Sequence, residues 1–170
     1  MTTVTNIKFS FKSKNEIYDI RKDFDIKCYT KNHNFIIRTN FCVFSFLGKN
    51  RRFVNVTGVQ DVDQIKKATL FFSKITGIKV SQFFDFKIDC LAIKLFLEPG
   101  LKSKFLGGKS EIFKIVKTTR FPATILKANH DGLKTSLSYF NSHGVVIVNG
   151  LRRLSQLKSL ILSLKKDFNF

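Results

Sequence analysis

Two stretches of the chain alternate apolar and polar residues and close on a glycine, and each is followed by a run with helical spacing. The first stretch, FDIKCYTKNHNFIIRTNFCVFSFLGKNRRFVNVTG, runs from Phe24 to Gly58. The second, FKIVKTTRFPATILKANHDGLKTSLSYFNSHGVVIVNG, runs from Phe113 to Gly150. Period-two alternation broken by polar turns predicts a set of short strands in each. The following segments, DVDQIKKATLFFSKITG and RRLSQLKSLILSLKKDF, predict long amphipathic helices. In the first, Asp61 is a suitable N-cap, Val62, Ile65, Ala68, Phe72 and Ile75 form the apolar face, and Gly77 ends the helix. In the second, Leu154, Leu157, Ile161, Leu164 and Phe168 form that face, with Arg153, Lys158, Lys165 and Lys166 on the other.

A strand also precedes each copy, over residues 6–13 and 85–97. The first is followed by NEIYDIRKDF, which has short-helix character, and the second by EPGLKSKFLGGKSE, which is richer in glycine and less clearly helical. The unit is therefore strand, short helix, four strands and long helix, written twice. Residues 1–82 and 83–170 form the two repeats of one compact unit. A repeat of this kind decides the fold class before any single motif does.

Alternation also sorts the strand faces. In LKTSLSYF, Leu133, Thr135, Leu137 and Tyr139 suit packing under the helices, while Lys134, Ser136, Ser138 and Phe140 suit an open surface. In NFCVFSFLG, Phe41, Val43 and Ser45 alternate against Cys42, Phe44 and Phe46. In RRFVNVTG, Val54 and Val56 alternate against Phe53, Asn55 and Thr57.

Charge changes the picture most. Thirty Lys and Arg against 12 Asp and Glu leave the chain at +18. Such an excess opposes a compact state by self-repulsion and favours a polyanionic partner, of which nucleic acid is the commonest. Apolar runs are interrupted well short of the roughly 20 residues a membrane helix needs, and the first ten residues lack the pattern of a secretory signal. Neither a membrane nor a small-molecule substrate is expected as partner. Cys28, Cys42 and Cys90 are odd in number and widely spaced, and they read as buried thiols in a reducing, intracellular compartment. His33, His130 and His143 sit in turn-like contexts without ligand spacing, so no metal or cofactor is expected. With no phosphate loop, carboxylate pair or Ser-His-Asp set, the chain does not read as an enzyme. An open sheet face carrying aromatics and small polar groups, on so basic a chain, fits contact with the minor groove, where base edges are mostly acceptors and apolar wedges part base steps.

The chain resembles the TATA-binding protein family over nearly its whole length. FFDFKIDCLAIKLFLEPGL is similar to the family's Phe-x-Asp-Phe-Lys-Ile-Gln-Asn segment. RFPATILK is similar to its Phe-Pro-Gly-Leu-Ile-Tyr-Arg, and YFNSHGVVIVNG to its Phe-x-Ser-Gly-Lys-Val-Val-x-Thr-Gly. The resemblance implies an α+β fold of two tandem repeats forming a saddle-shaped, curved antiparallel sheet with two long helices on the convex face. It implies a transcription initiation factor that binds and kinks A/T-rich double-stranded DNA and meets a polymerase and accessory factors, in a nuclear or viral transcription compartment. The alternative is a module of the same fold that binds nucleic acid non-specifically or bridges a transcription complex.

The resemblance also assigns residues. Phe121 and Phe140 fall on the wedge positions of the second repeat. In the first, Phe35 is the candidate for one wedge and Phe44 or Phe46 for the other. Asn6 fits the family's groove-reading Asn, Lys8 replaces the Val that follows it, and Asn55 and Thr57 lie in the closing strand. In the second repeat Cys90 stands where the Asn would be, with Ala92, Ile147 and Asn149 as the other groove-face residues. The turn IVKTTRF lacks the acidic residues with which the family meets factor B.

Overall fold

The computed structural model describes residues 2–47, 49–116, 122–130 and 132–170; of His130, only the backbone is described. These residues fall into two compact units, Asn6–Asp89, and Cys90–Phe170 together with the residues up to Thr5.

The first unit holds strand β1 (Thr3–Ser13) from Asn6 onward, β2 (Lys27–Lys31), β3 (Asn34–Arg38), β4 (Val43–Leu47) and β5 (Asn50–Val59), then helix α1 (Val62–Thr76). Its strand order is β2-β3-β4-β5-β1, with every neighbouring pair antiparallel. Strand β6 (Phe83–Phe96) begins in this unit and continues into the second. The second unit adds α2 (Lys102–Gly107), β7 (Phe113–Val116), β8 (Thr124–His130), β9 (Leu133–Phe140), β10 (Val145–Leu151) and α3 (Ser155–Phe168), in strand order β6-β10-β9-β8-β7. Each unit is thus an antiparallel sheet with one long helix against it, an α+β arrangement. Four strands precede each long helix, as the two alternating stretches predict.

Local chemistry explains the boundaries. The β2–β3 hairpin turns on Asn32 and His33, both at positive φ (49° and 63°), which is the two-residue turn that matches strand twist. Asp61 caps α1 by accepting from the Gln64 amide at 2.7 Å, and Gly77 closes the helix at φ 70°. α3 has no such side-chain N-cap. Instead Gln156 Oε1 accepts from the amides of Arg152 and Arg153 at 3.0 and 2.9 Å.

The short helices reverse the sequence expectation. Residues 15–24 form no helix, because their amides are used at long range: Ile17 N donates to Arg51 O at 3.1 Å and Arg21 N to Ile75 O at 2.8 Å. The glycine-rich counterpart does contain a helix, α2, which begins just after Pro99 and Gly100. Val62 and Leu154 also depart from their predicted apolar faces, being 64% and 57% exposed. The buried stripes are Ala68, Thr69, Phe72 and Ile75 on α1, and Leu160, Leu164 and Phe168 on α3. Cys28 is exposed rather than buried, while Cys42 is buried. Burial pushes the Cys42 thiol up to about 11, against the opposing effects of Thr39 and Lys67.

Aromatic rings make up much of each core. In the first unit Phe72 of α1 meets Phe11, Phe44 and Phe83 at centroid distances of 5.5, 4.9 and 5.9 Å. In the second, Phe105 of α2 packs edge-on against Tyr139 and Phe168 at 5.1 Å each. Tyr139 adds polar ties, donating to the Glu98 carbonyl at 2.7 Å and accepting from the Leu101 amide at 3.0 Å. Since Phe72 is fully buried between strands and helix, Phe72→Ala should cost about 3–5 kcal/mol. The midpoint of denaturant unfolding followed by circular dichroism measures it. A loss under about 1 kcal/mol would mean that α1 does not hold the sheet through this ring.

Candidate nucleic-acid interface

The face of each sheet turned away from its helix is fixed by register. In the first unit Phe44 pairs with Val56, Ile37 with Phe44, and Phe9 with Val56, and all four side chains are buried on the helix side. The opposite, open face therefore carries Lys8 and Lys12 of β1, Phe53, Asn55 and Thr57 of β5, and Val43, Ser45 and Leu47 of β4, while Ser10, of the same parity, is buried. In the second unit Val148 pairs with Ile93 and Leu137 on the helix side. Its open face carries Ala92, Lys94 and Phe96, then Val145, Ile147 and Asn149, then Ser136, Ser138 and Phe140.

One irregularity recurs in both units and aligns them. In β5 an extra residue interrupts pairing with β1 between the Ile7–Val59 and Phe9–Val56 pairs, where Gly58 has φ 98°. In β10 the pairing with β6 shifts between Asn149–Ala92 and Leu151–Leu91, where Gly150 has φ 99°. Both are β-bulges carried by a glycine in a conformation that side chains rarely adopt. Each bulge amide finds a side-chain acceptor on the neighbouring strand. The Gly58 amide donates to Asn6 Oδ1 at 2.7 Å, and the Gly150 amide to Cys90 Sγ at 3.2 Å. Asn6 Nδ2 also donates to Thr57 Oγ1 at 3.1 Å. Asn6 and Cys90 thus occupy the same structural position, as do Thr57 and Asn149. A carboxamide anchored by its oxygen keeps N–H capacity for an acceptor; a thiol offers a weak donor only.

From this alignment the rest follows by pairing. Asn55 pairs with Ser45 and Ile147 with Ser138, so Leu47, two residues beyond Ser45, matches Phe140 by its place along the strand, although the β4–β5 register shifts there and Leu47 pairs with Asn50. Leu47 is 49% exposed, and Phe140 is half-buried at the end of β9. The first-unit aromatics assigned from sequence lie elsewhere. Phe44 is fully buried against Phe72, Phe46 is 2% exposed, and Phe35 pairs with Phe46 with rings 5.2 Å apart on that same helix-side face. The helix claims Phe44 directly, and Phe46 and Phe35 share its side of the sheet by alternation and pairing, continuous with Val54 and Val56. Phe35, Phe44 and Phe46 are thereby withdrawn from an open-face wedge role. Phe121 lies outside the described residues, as does most of the turn read for factor B.

Two open-face residues escaped sequence reasoning. One is Leu47, whose signal was its place two residues after Ser45 on the face opposite Phe46. The other is Phe96, 52% exposed, with Lys94 Nζ 5.3 Å from its ring centre. Val145 pairs with both Phe96 and Phe140, so the three form an apolar row across the second unit's open face.

Cations surround these residues. A trough of about 640 Å³ on the second unit is lined by Cys90, Ser136, Asn149 and the lysines Lys114, Lys127 and Lys134. On the first unit Asp85, at positive φ, holds Lys12 at 2.8 Å and Lys87 at 3.1 Å. Hydrogen bonds from those two lysines hold the Asp85 carboxyl below its ordinary range. The pairing is therefore complete above that range and is lost as pH falls through the lowered pKa.

The units' shared plan, an antiparallel sheet of five strands with a bulged closing strand and one long helix, defines a two-repeat α+β fold. The chain is similar to a TBP from Methanococcus jannaschii, with a TM-score of 0.69 and 18% identity over 99% of this chain and 98% of that one. This likeness shows a TBP-like fold. No protein-family model matches the chain. No curated protein matches it either.

The bulges give a direct test of this geometry. A Cβ on Gly150 would meet Lys134 O at 2.4 Å, whereas one on Gly58 would meet Cys42 Cα at 3.3 Å. Gly150→Ala should therefore destabilise the protein more than Gly58→Ala, with both costing at least about 1 kcal/mol through positive φ. Chemical denaturation of the two variants gives the ranking; equal midpoints would refute it.

Proposed function

We infer that the protein binds A·T-rich duplex DNA through the minor groove with its open sheet faces, kinks it, and serves transcription initiation. The observation that carries this reading is the bulge-anchored pair on each open face, Asn6 with Thr57 and Cys90 with Asn149, set among lysines. Asn6, Asn55, Thr57 and Asn149 offer hydrogen-bonding groups to base-edge acceptors, and Ile147 offers flat apolar contact, whereas Ala92 beside it is largely buried. Lys8 stands at the position of Ala92 and brings a charge where the second unit presents a methyl group. Phe140 and Phe121 are the wedges, and Phe96 and Val145 extend the apolar row beside Phe140. Partners in the transcription machinery, and a nuclear or viral setting, belong to the same reading.

The two units do not offer the same wedge. Leu47 in place of an aromatic ring predicts a weaker distortion by the first unit and a sharp kink by the second. Partial unstacking is what a ring wedge supplies, at a few kcal/mol per step returned through added contact.

A second reading has its own support. Cys90 in place of a carboxamide, and Lys8 on the groove face, favour backbone neutralisation over base reading. The same fold would then bind nucleic acid non-specifically, with log K falling by roughly 0.9 per phosphate contact per decade of salt.

End-to-end fluorescence transfer on short duplexes separates the two. A·T-rich DNA should show a bend that survives higher salt and that G·C-rich DNA lacks. Phe140→Ala should abolish most of that bend while leaving salt-sensitive binding, and Leu47→Phe should add to it. A straight duplex with the parent protein, whatever its sequence, would favour the non-specific reading. An unchanged bend in Phe140→Ala would remove Phe140 from the wedge role.

A further inference from the structure

One exposed serine stands in a segment that neither the open sheet faces nor the helix cores use. LRRLS, Leu151 to Ser155, runs from the end of β10 to the start of α3. Of all the serines and threonines in the chain, only Ser155 follows an arginine by three residues, and Arg153 adds a second guanidinium two residues before it. Arg152, Arg153 and Ser155 are exposed, and Leu154 between them is 57% exposed. Among the described residues, neither guanidinium is in an ion pair and the Ser155 hydroxyl has no hydrogen-bond partner.

Two fixed points bracket the segment. Leu151 is 1% exposed, and the buried stripe of α3 begins only at Leu160. Between them the backbone is lightly held. α3 has no side-chain N-cap, and the amides of Gln156 and Leu157 reach back only three residues, to the Arg153 and Leu154 carbonyls at 3.2 and 3.0 Å. A further tie is Gln156 Oε1, which accepts from the Arg152 and Arg153 amides. The first turn of α3 can therefore open while Leu160, Leu164 and Phe168 stay in the core, a local opening of low cost. An enzyme that works on a stretch of chain needs such an opening to draw it into a cleft.

The chemistry of the segment selects the enzyme. Guanidinium forks engage carboxylates with two parallel hydrogen bonds, so two adjacent arginines fit an acidic substrate cleft and place a hydroxyl three residues on against the γ-phosphate of ATP. In the transfer, the bond from Ser155 Oγ to the γ-phosphorus forms as that from phosphorus to the β–γ bridging oxygen breaks. The hydroxyl proton passes to the kinase's base, and ADP leaves. The same arginines are then at hand for the product, a seryl phosphate of about −1.5 to −2 charge with three acceptor oxygens. α3 has no acidic residue in its first turn, so the new anion falls where the helix end favours negative charge.

We propose that Ser155 is a phosphoacceptor for an arginine-directed serine/threonine kinase, and that its phosphate fastens the first turn of α3. The segment lies outside the residues assigned to DNA, so the test is run without DNA. The full chain is incubated with the catalytic subunit of such a kinase and magnesium ATP, and the product is followed by intact mass and peptide mapping. A synthetic peptide of residues 149–159 serves as the positive control for the kinase.

The folded chain should take one phosphate, at Ser155, and Ser155→Ala should take none. Arg152→Gln with Arg153→Gln should slow the transfer by about tenfold or more, through loss of charge-assisted hydrogen bonds to the cleft. These side chains are exposed, so circular dichroism of the variants should match the parent. In the phosphorylated protein, backbone amides of residues 153–158 should exchange with deuterium about two- to fivefold more slowly. Any of four results would overturn the proposal. These are modification of the peptide but not of the folded chain, a phosphate that persists in Ser155→Ala, an unchanged rate in the double arginine variant, or unchanged or faster amide exchange after phosphorylation.

Discussion

A strand has two faces and a helix buries only one of them, so in each unit the choice made by the aromatic rings decides everything else. Once Phe72 takes Phe11 and Phe44 under α1, the parity of β1, β4 and β5 is fixed, because a one-residue slip would turn every side chain to the other face. Asn55, Thr57 and Ser45 must then face outward. Phe105, Tyr139 and Phe168 do the same for the second unit and leave Phe140 on the open side. The positions available to a nucleic acid are what packing leaves over. The glycine bulges adjust that inheritance locally, placing Asn6 and Cys90 against Gly58 and Gly150.

That logic explains which parts of the molecule could be read from its sequence. The long helices were legible because their signals are local: a stripe at helical spacing in both, with an Asp cap and a Gly stop on α1. The strand stretches were legible because alternation is local too, and LKTSLSYF sorted its faces as the structure does. The short helices were not, since whether residues 15–24 coil depends on acceptors at Arg51 and Ile75, far along the chain. A Pro-Gly pair that reads as a breaker in fact precedes α2.

The first-repeat wedges failed for a related reason. Alternation alone placed Phe44 and Phe46 together with Cys42, but it did not say which set lay under the helix. The answer was available one strand away. Val54 and Val56 form the apolar set of β5, and Phe44 pairs with Val56. Looking for phenylalanines favoured rings over positions and passed over Leu47. The correspondence of Cys90 with Asn6, by contrast, was legible from motif position and agrees with the bulge contacts.

The sequence copies and the compact units divide the chain differently. The second unit includes the residues up to Thr5, whose hydroxyl donates to the Ala92 carbonyl at 3.0 Å. The first includes Phe83–Asp89, with Phe83 and Phe86 against Phe11 and Asp85 against Lys12. A polypeptide cut between Gln82 and Phe83 would give the first fragment an unroofed Phe11 and an unpaired Lys12. The second fragment would lose its amino-terminal segment. Each of the two tandem copies depends on strand ends that belong to the other's sequence, so that neither copy, excised at the repeat boundary, carries all the parts of its own fold.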